Sequence, residues 1–171
     1  LWFESDGRGG PLPPEHWREF CLASVTTHDL PPTAGYLAGD HVRLRHQLGL
    51  LTEGLDEELR ASAAEQQGVI RFLEARGYLT GDDPSVEEIV LSMHRFITQT
   101  PAKVLNASLT DAVGDRLTQN QPGTIDEYPN WRVPLSGPDQ RPMMLEDVFT
   151  SERAARLAAV MNGFTNLPES R

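Results

Sequence analysis

His28 and Asp29 are the pair of residues in this sequence best placed for chemistry, because they stand where a short β-type run stops. In "SVTTHDLPPTAGY" (residues 24–36) two prolines follow almost at once and fix the backbone behind the pair. Functional side chains of parallel α/β proteins collect at the carboxyl ends of strands. A carboxylate there can stabilise developing positive charge, and a neighbouring imidazole can donate a hydrogen bond. The spacing also allows a plainer role, in which Asp29 caps the turn before Pro31 and His28 is a surface residue.

The other histidines and the cysteine lack partners at a suitable spacing. His41 and His46 are five residues apart, which on a helix turns them to different faces, so the pattern does not favour a metal site. Cys21 lies within an apolar run, where a small core residue is commoner than a nucleophile paired with His28. No glycine-rich phosphate loop is present. We therefore expect neither a metal nor a cofactor.

The tryptophans are the remaining side chains with a possible binding role. Trp2, Trp17 and Trp131 could each stack on a sugar ring or anchor the core or a loop. Because aromatic rings bury a large apolar surface, the anchor is the expected role for any one of them.

Short strands separated by long helical stretches must position these residues. Patterns predict strands at residues 1–4, 20–27 and 102–114, two short helices within 33–51, longer helices over 56–79 and 83–101, an ordered loop over 119–135 and a terminal helix that stops at Asn162-Gly163. In the helix over 83–101, Pro84 is expected in the first turn, and Ser85 with Glu88 fits a capping box. Alternating strands and helices of this kind predict an α/β fold with parallel strands.

Composition and charge exclude several classes of partner. The 171 residues are enough for one ordinary core, and the formal net charge of −10 repels phosphate backbones and anionic lipid surfaces. We expect no nucleic-acid partner and no membrane partner. A single cysteine fits a reducing cytoplasm. The apolar start "LWFE", which lacks a methionine, predicts that the sequence is a fragment of a longer chain.

Two motifs resemble a known family. "TTHDLPPTAGY" (26–36) and "NQPGTIDEYPNW" (120–131) are similar to two well-marked stretches in the C-terminal part of the 4-α-glucanotransferases, the amylomaltase or disproportionating-enzyme family of the α-amylase superfamily. "LWFE", the Gly/Pro-rich loop and the helical run stand in the same order as in the family, so the resemblance covers nearly the whole chain. It implies that residues 1–171 are the C-terminal segment of a (β/α)8 barrel: the last strands, a helical insertion at about 33–100, a closing loop and the terminal helix.

The resemblance also implies a reaction and roles for individual residues. The family transfers α-1,4-glucan segments between maltodextrins through a covalent glycosyl-enzyme intermediate, which requires a nucleophile and an acid/base. Both lie upstream in the family, so this chain would lack them and depend on the upstream remainder of the barrel. Asp29 matches the third catalytic carboxylate, which stabilises the transition state, and His28 matches the histidine that binds the same sugar. Asn120 matches an asparagine near the bound glucan, and Trp131 is the further candidate for substrate binding.

A function of another class stays open. The chain could be a non-catalytic, mostly helical module that binds carbohydrate or a partner protein through the Pro-Gly-Thr loop and Trp131. An upstream reading frame with two further carboxylates at strand ends would favour the enzyme, whereas a start codon immediately before Leu1 would favour the module.

Overall fold

Two short strands and seven α-helices make up the part of the chain that the structure, a computed structural model, describes: residues 5–7 and 10–163. In chain order they are a 3₁₀ turn (Pro14–His16), β1 (Leu22–Ser24), α1 (Thr33–Leu37), α2 (Asp40–Gln47), α3 (Leu55–Ala75), α4 (Val86–Thr98), β2 (Val104–Asn106), α5 (Leu109–Val113), α6 (Leu145–Thr150) and α7 (Glu152–Met161). The strand predicted at residues 1–4, which includes Trp2, lies outside the described residues.

The two strands pair in parallel, as the alternation of strands and helices predicts. Leu22 lies opposite Val104, and Ser24 lies opposite Asn106. Parallel neighbours need a crossover connection, which here consists of α1–α4. The strand predicted over 20–27 is thus real but contributes only three residues to the sheet. Because the strands are parallel, their carboxyl ends lie at the same edge of the sheet.

The strand predicted over 102–114 is wrong beyond Asn106, because the second half of this stretch is helical. The Ser108 side chain accepts a hydrogen bond from the Asp111 backbone N–H at 3.1 Å, which caps α5 at its start. Gly114, with a φ of 78°, ends the helix. The turn at Gly114 was predicted, whereas the capped helix before it was not.

Helix α4 forms the centre of the core. The predicted capping box is confirmed, since the Ser85 side chain bonds the Glu88 backbone and the Glu88 side chain bonds the Ser85 backbone. Pro84 precedes the cap rather than standing in the first turn, so that detail is wrong. Phe96 is fully buried and meets the ring of Trp17 edge-on at 5.8 Å. Trp17 is therefore a core anchor, as expected.

Helix α7 closes the fold against α4 and α5. Leu157 and Val160 are buried beside Leu91 of α4 and Ala112 of α5. The carboxylate of Glu87 in α4 accepts from Arg153 at 3.1 Å and from Arg156 at 2.6 Å. The predicted stop after this helix is confirmed, with Gly163 at a φ of 78°. The preceding short helix α6 was not predicted.

None of the helices in the described ranges is long and apolar enough to cross a membrane.

Candidate functional site

A tight turn after β1 carries the His28–Asp29 pair. The Leu30 N–H donates to the Thr27 carbonyl at 3.2 Å, and the buried Thr26 hydroxyl donates to the Pro31 carbonyl at 2.9 Å. His28 Nε2 lies 3.3 Å from Asp29 Oδ2, and both side chains are about half exposed. The backbone of the turn is thus held by its own hydrogen bonds, which leaves the pair facing outward.

Asn120, in the loop over 119–135, lies next to this pair. Its side-chain Nδ2 donates to Asp29 Oδ1 at 2.6 Å, and its backbone N–H donates to the His28 carbonyl at 3.2 Å. The two residues of the side-chain bond are 91 positions apart in the sequence. In the described part of the chain, the Asp29 carboxylate accepts a hydrogen bond from Asn120 and lies near His28, both through side chains, and no backbone N–H of its own turn donates to it.

Trp131 completes the cluster by packing beside His28. The two ring centroids are 5.0 Å apart, with the planes tilted by 40°. The backbone of Trp131 has a φ of 63°, which is uncommon for a bulky residue, and its N–H donates to the Gln119 carbonyl at 2.9 Å. Its side chain is 64% exposed. Much of the indole surface is therefore available for contact with another molecule.

The loop that carries Asn120 and Trp131 is ordered, as predicted, and holds itself together. The Asn130 side chain accepts from the Gln121 N–H and donates to the Thr124 hydroxyl, both at 2.8 Å. The Tyr128 hydroxyl donates to the Thr118 carbonyl at 2.6 Å. Asn130 and Tyr128 belong to the motif "NQPGTIDEYPNW", but nothing in its spacing indicates that they hold the loop together.

A cavity of about 590 Å³ opens next to His28. Its lining includes Leu22 and Ser24 from β1, Asn106 from β2, and Gln119 from the loop. The alternate sheet residue Ala23 is buried in the core instead. The sheet therefore turns one face to the core and the other to a concave, partly polar surface beside the His28–Asp29 turn.

A buried carboxylate supports the chain just behind this turn. Thr33, the first residue of α1, donates its backbone N–H to Asp111 Oδ1 at 2.7 Å and its hydroxyl to Asp111 Oδ2 at 3.0 Å. His94 Nδ1 lies 2.7 Å from the Val90 carbonyl, while His94 Nε2 lies 3.9 Å from Asp111 Oδ2. Burial raises the pKa of Asp111 and lowers the pKa of His94. The charge of His94 acts to lower the pKa of Asp111, and the charge of Asp111 acts to raise the pKa of His94, so each opposes the effect of burial. The sequence signal for this site was weak: an aspartate in the stretch "SLTDAV".

The segment that leads from α5 to the loop is fixed by two further carboxylates. Asp115 is fully buried and accepts from the Ser136 hydroxyl at 2.7 Å and from the Ser136 N–H at 3.2 Å. Arg116 makes a two-pronged ion pair with Asp40 at 2.7 and 2.8 Å, and this hydrogen bonding raises the pKa of Arg116. The loop with Asn120 and the helices after Asp29 are therefore tied to each other.

The structure brings together all four residues that the sequence singled out for binding or catalysis: His28, Asp29, Asn120 and Trp131. Across the described ranges, no group of three or more His, Cys, Asp or Glu side chains is arranged to hold a metal ion.

Comparison with known proteins identifies the family of this chain. Residues 1–140 match the sequence model of glycoside hydrolase family 77, described as 4-alpha-glucanotransferase. Curated 4-alpha-glucanotransferases of Mycobacterium tuberculosis and Mycobacterium bovis are 57% identical over 175 aligned residues, which cover 99% of this chain and 24% of those proteins. The 4-alpha-glucanotransferase of Haemophilus influenzae is 26% identical, over 68% of this chain and 18% of that protein.

A solved structure agrees with these sequence relatives. The crystal structure of amylomaltase from Corynebacterium glutamicum superposes with a TM-score of 0.86 at 34% identity, covering 94% of this chain and 24% of that one. This chain thus spans about a quarter of the length of the relatives it matches. On these matches, the chain belongs to the 4-alpha-glucanotransferase family.

Proposed function

We propose that this chain supplies the charge-stabilising side of a 4-alpha-glucanotransferase active site. The observation that carries the proposal is the meeting of Asp29, His28 and Asn120 on one open surface beside a cavity. The nucleophile and the acid/base of the reaction belong, on this proposal, to other parts of the full-length enzyme. The substrates are α-1,4-glucans of the maltodextrin type.

Asp29 is the catalytic residue of the segment. Breaking a glycosidic bond with retention passes through an oxocarbenium-like state, in which positive charge develops on the sugar ring. Asn120 orients the Asp29 carboxylate through a neutral amide, which leaves the negative charge of Asp29 uncompensated by any lysine or arginine in the described ion pairs. A carboxylate fixed in this way stabilises the developing charge without having to reorganise during the reaction.

His28, Asn120 and Trp131 bind the glucan around Asp29. An imidazole that is about half exposed can hydrogen-bond a sugar hydroxyl, and an exposed indole ring can cover the apolar face of a sugar. The His28 and Trp131 rings lie beside each other, with their centroids 5.0 Å apart. Together they form a surface suited to one sugar ring and its neighbour.

The larger fold is, on this proposal, a (β/α)8 barrel in which β1 and β2 are adjacent strands. Parallel pairing with a helical crossover supports this arrangement. Leu22 and Val104 are more than half exposed, which fits a sheet that continues into the remainder of a barrel. Residues 1–171 would then be the C-terminal segment of the catalytic barrel, with α1–α4 as a helical insertion.

A hybrid enzyme tests the proposal. In this hybrid, the present chain replaces the matching segment of the Mycobacterium tuberculosis relative, to which it is 57% identical. We expect the hybrid to disproportionate maltotriose, which is measured as glucose release. A folded hybrid that releases no glucose would contradict the proposal and favour a non-catalytic binding module.

A cytoplasmic location is part of the same proposal and is supported by the single cysteine of the sequence. Recovery of the protein from a secreted or membrane fraction of its source cells would contradict it.

A further inference from the structure

The start of helix α1 is capped by a residue from a different helix. Pro32 occupies the cap position, and its side chain makes no capping hydrogen bond. The carboxylate of Asp111 in α5 performs that task, because it accepts from both the backbone N–H and the hydroxyl of Thr33. The two residues are 78 positions apart in the sequence.

This contact lies in the interior and is costly to break. The side chains of Asp111 and Thr33 are at most 1% exposed. If the Asp111 carboxylate moved away, the Thr33 N–H and hydroxyl would be left without water or partner in a buried place. The Asp111–Thr33 contact therefore has one well-defined geometry.

The contact holds the exit of the turn that carries Asp29. Thr33 follows Asp29 by four residues, and Thr26 closes the entry of the same turn by donating to the Pro31 carbonyl. Between them, the turn is short and contains two prolines with restricted backbones. A shift of Thr33 would therefore also shift Asp29, because the residues between them have little freedom to adjust.

We propose that Asp111 is a positioning residue for Asp29, acting through Thr33. It sets where the Asp29 carboxylate stands relative to Asn120, and hence relative to the sugar ring. This inference rests on the proposed role of Asp29 in glucan transfer. The chemical reason is that electrostatic stabilisation of a transition state depends on placing the charge to within a fraction of an ångström.

The test uses three variants of the hybrid enzyme. Thr33→Val keeps the branched shape and removes the hydroxyl, whereas Thr33→Ser keeps the hydroxyl. Glu87→Gln, which weakens the contact of α4 with Arg153 and Arg156, controls for a general loss of stability. We expect Thr33→Val to lower kcat about tenfold with KM within about twofold of the unmodified hybrid. Thr33→Ser and Glu87→Gln should keep kcat.

A double variant separates positioning from a general structural role. If Thr33 acts through Asp29, adding Thr33→Val to Asp29→Asn should lower kcat by much less than it does alone. Equal losses in both backgrounds would overturn the inference, as would a normal kcat in Thr33→Val or a loss of kcat in the Glu87→Gln control.

Hydrogen exchange distinguishes failure of this inference from failure of the proposed function. Thr33→Val should speed amide exchange in a peptide covering residues 27–33 and leave a peptide from α3 unchanged. If the hybrid is inactive, the proposed function fails, but the exchange experiment still tests whether the Asp111–Thr33 contact holds the turn. Unchanged exchange in residues 27–33 would overturn the inference whether or not the hybrid is active.

Discussion

At the residue scale, the candidate site depends on a few side chains whose partners are far away in the sequence. His28 and Asp29 could be chosen in advance, because a polar pair at a strand end followed by prolines is a local pattern. Asn120 could be chosen only through resemblance to a family. The contact of Asp111 with Thr33 could not be predicted, because its 78-residue separation leaves no local periodicity or spacing to detect.

Replacement of His28 should weaken the reaction less than loss of the charge on Asp29. His28→Asn removes the ring contact with Trp131 and one hydrogen bond to a sugar hydroxyl but leaves the carboxylate in place. We expect a loss in kcat/KM of about tenfold in the hybrid enzyme, measured as glucose release from maltotriose. A loss larger than that of Asp29→Asn would mean that His28, and not Asp29, is the main catalytic group.

Trp131→Ala distinguishes a binding ring from a structural anchor. Because its side chain is 64% exposed, truncation should leave the melting temperature of the hybrid within about 2 °C. Maltodextrin binding, measured by calorimetry, should weaken about tenfold through the lost stacking surface. Trp17→Ala is the matched control, since Trp17 is buried and its truncation should lower the melting temperature sharply. A large drop in melting temperature for Trp131→Ala would instead make that ring an anchor.

At the element scale, most helix ends follow from local chemistry. The capping box at Ser85 and the glycines after the helices are visible in the sequence. In the structure, α4 begins after Ser85, and helices end just before such glycines. The error at 102–114 has a local cause as well: a β-type run is followed directly by Ser108, which caps a one-turn helix that the strand pattern conceals. What the sequence does not reveal is how closely α1 approaches the segment after α5.

Gly35 marks that close approach. A Cβ atom added at this glycine would lie 2.3 Å from the backbone oxygen of Arg116, so one of the two segments would have to move. We expect Gly35→Ala to destabilise the protein by about 2 kcal/mol, measured as a lower melting temperature of the hybrid.

The matched control for Gly35 is Gly68→Ala, in the middle of α3. A Cβ at Gly68 meets nothing within 4 Å, so this change should stabilise the helix by about 0.5–1 kcal/mol. If Gly35→Ala were as well tolerated as Gly68→Ala, the close contact between α1 and Arg116 would be disproved.

At the scale of the whole molecule, the sheet face that lines the cavity is open, and exposed apolar side chains lie on it and beside it, with Phe20 just before β1 and Leu109 at the start of α5. Phe20, Leu22, Val104 and Leu109 are 86%, 60%, 52% and 55% exposed. Because this chain spans about a quarter of the length of its relatives, such a face is suited to contact with the rest of a larger fold. The order of the motifs predicted the family, whereas residues that the proposed reaction requires from outside this chain leave no trace in its sequence.

The isolated chain should therefore associate or lack fixed packing. Exposed strand edges and apolar side chains favour pairing with other chains. We expect concentration-dependent sedimentation and a broad thermal transition. The double variant Leu22→Ser, Val104→Thr should associate less, because it removes apolar surface from the open face without touching the core. A sharp two-state transition in a dilute monomer would contradict this prediction and support a self-contained module.

The central claim is that Asp29 stabilises positive charge in the transition state of glucan transfer. Asp29→Asn in the hybrid enzyme keeps the shape of the side chain and removes its charge, so the loss should appear in kcat. We predict that kcat for maltotriose disproportionation falls by about a hundredfold to a thousandfold or more, with a modest change in KM and an unchanged circular dichroism spectrum. A folded Asp29→Asn enzyme with nearly normal kcat would contradict the claim.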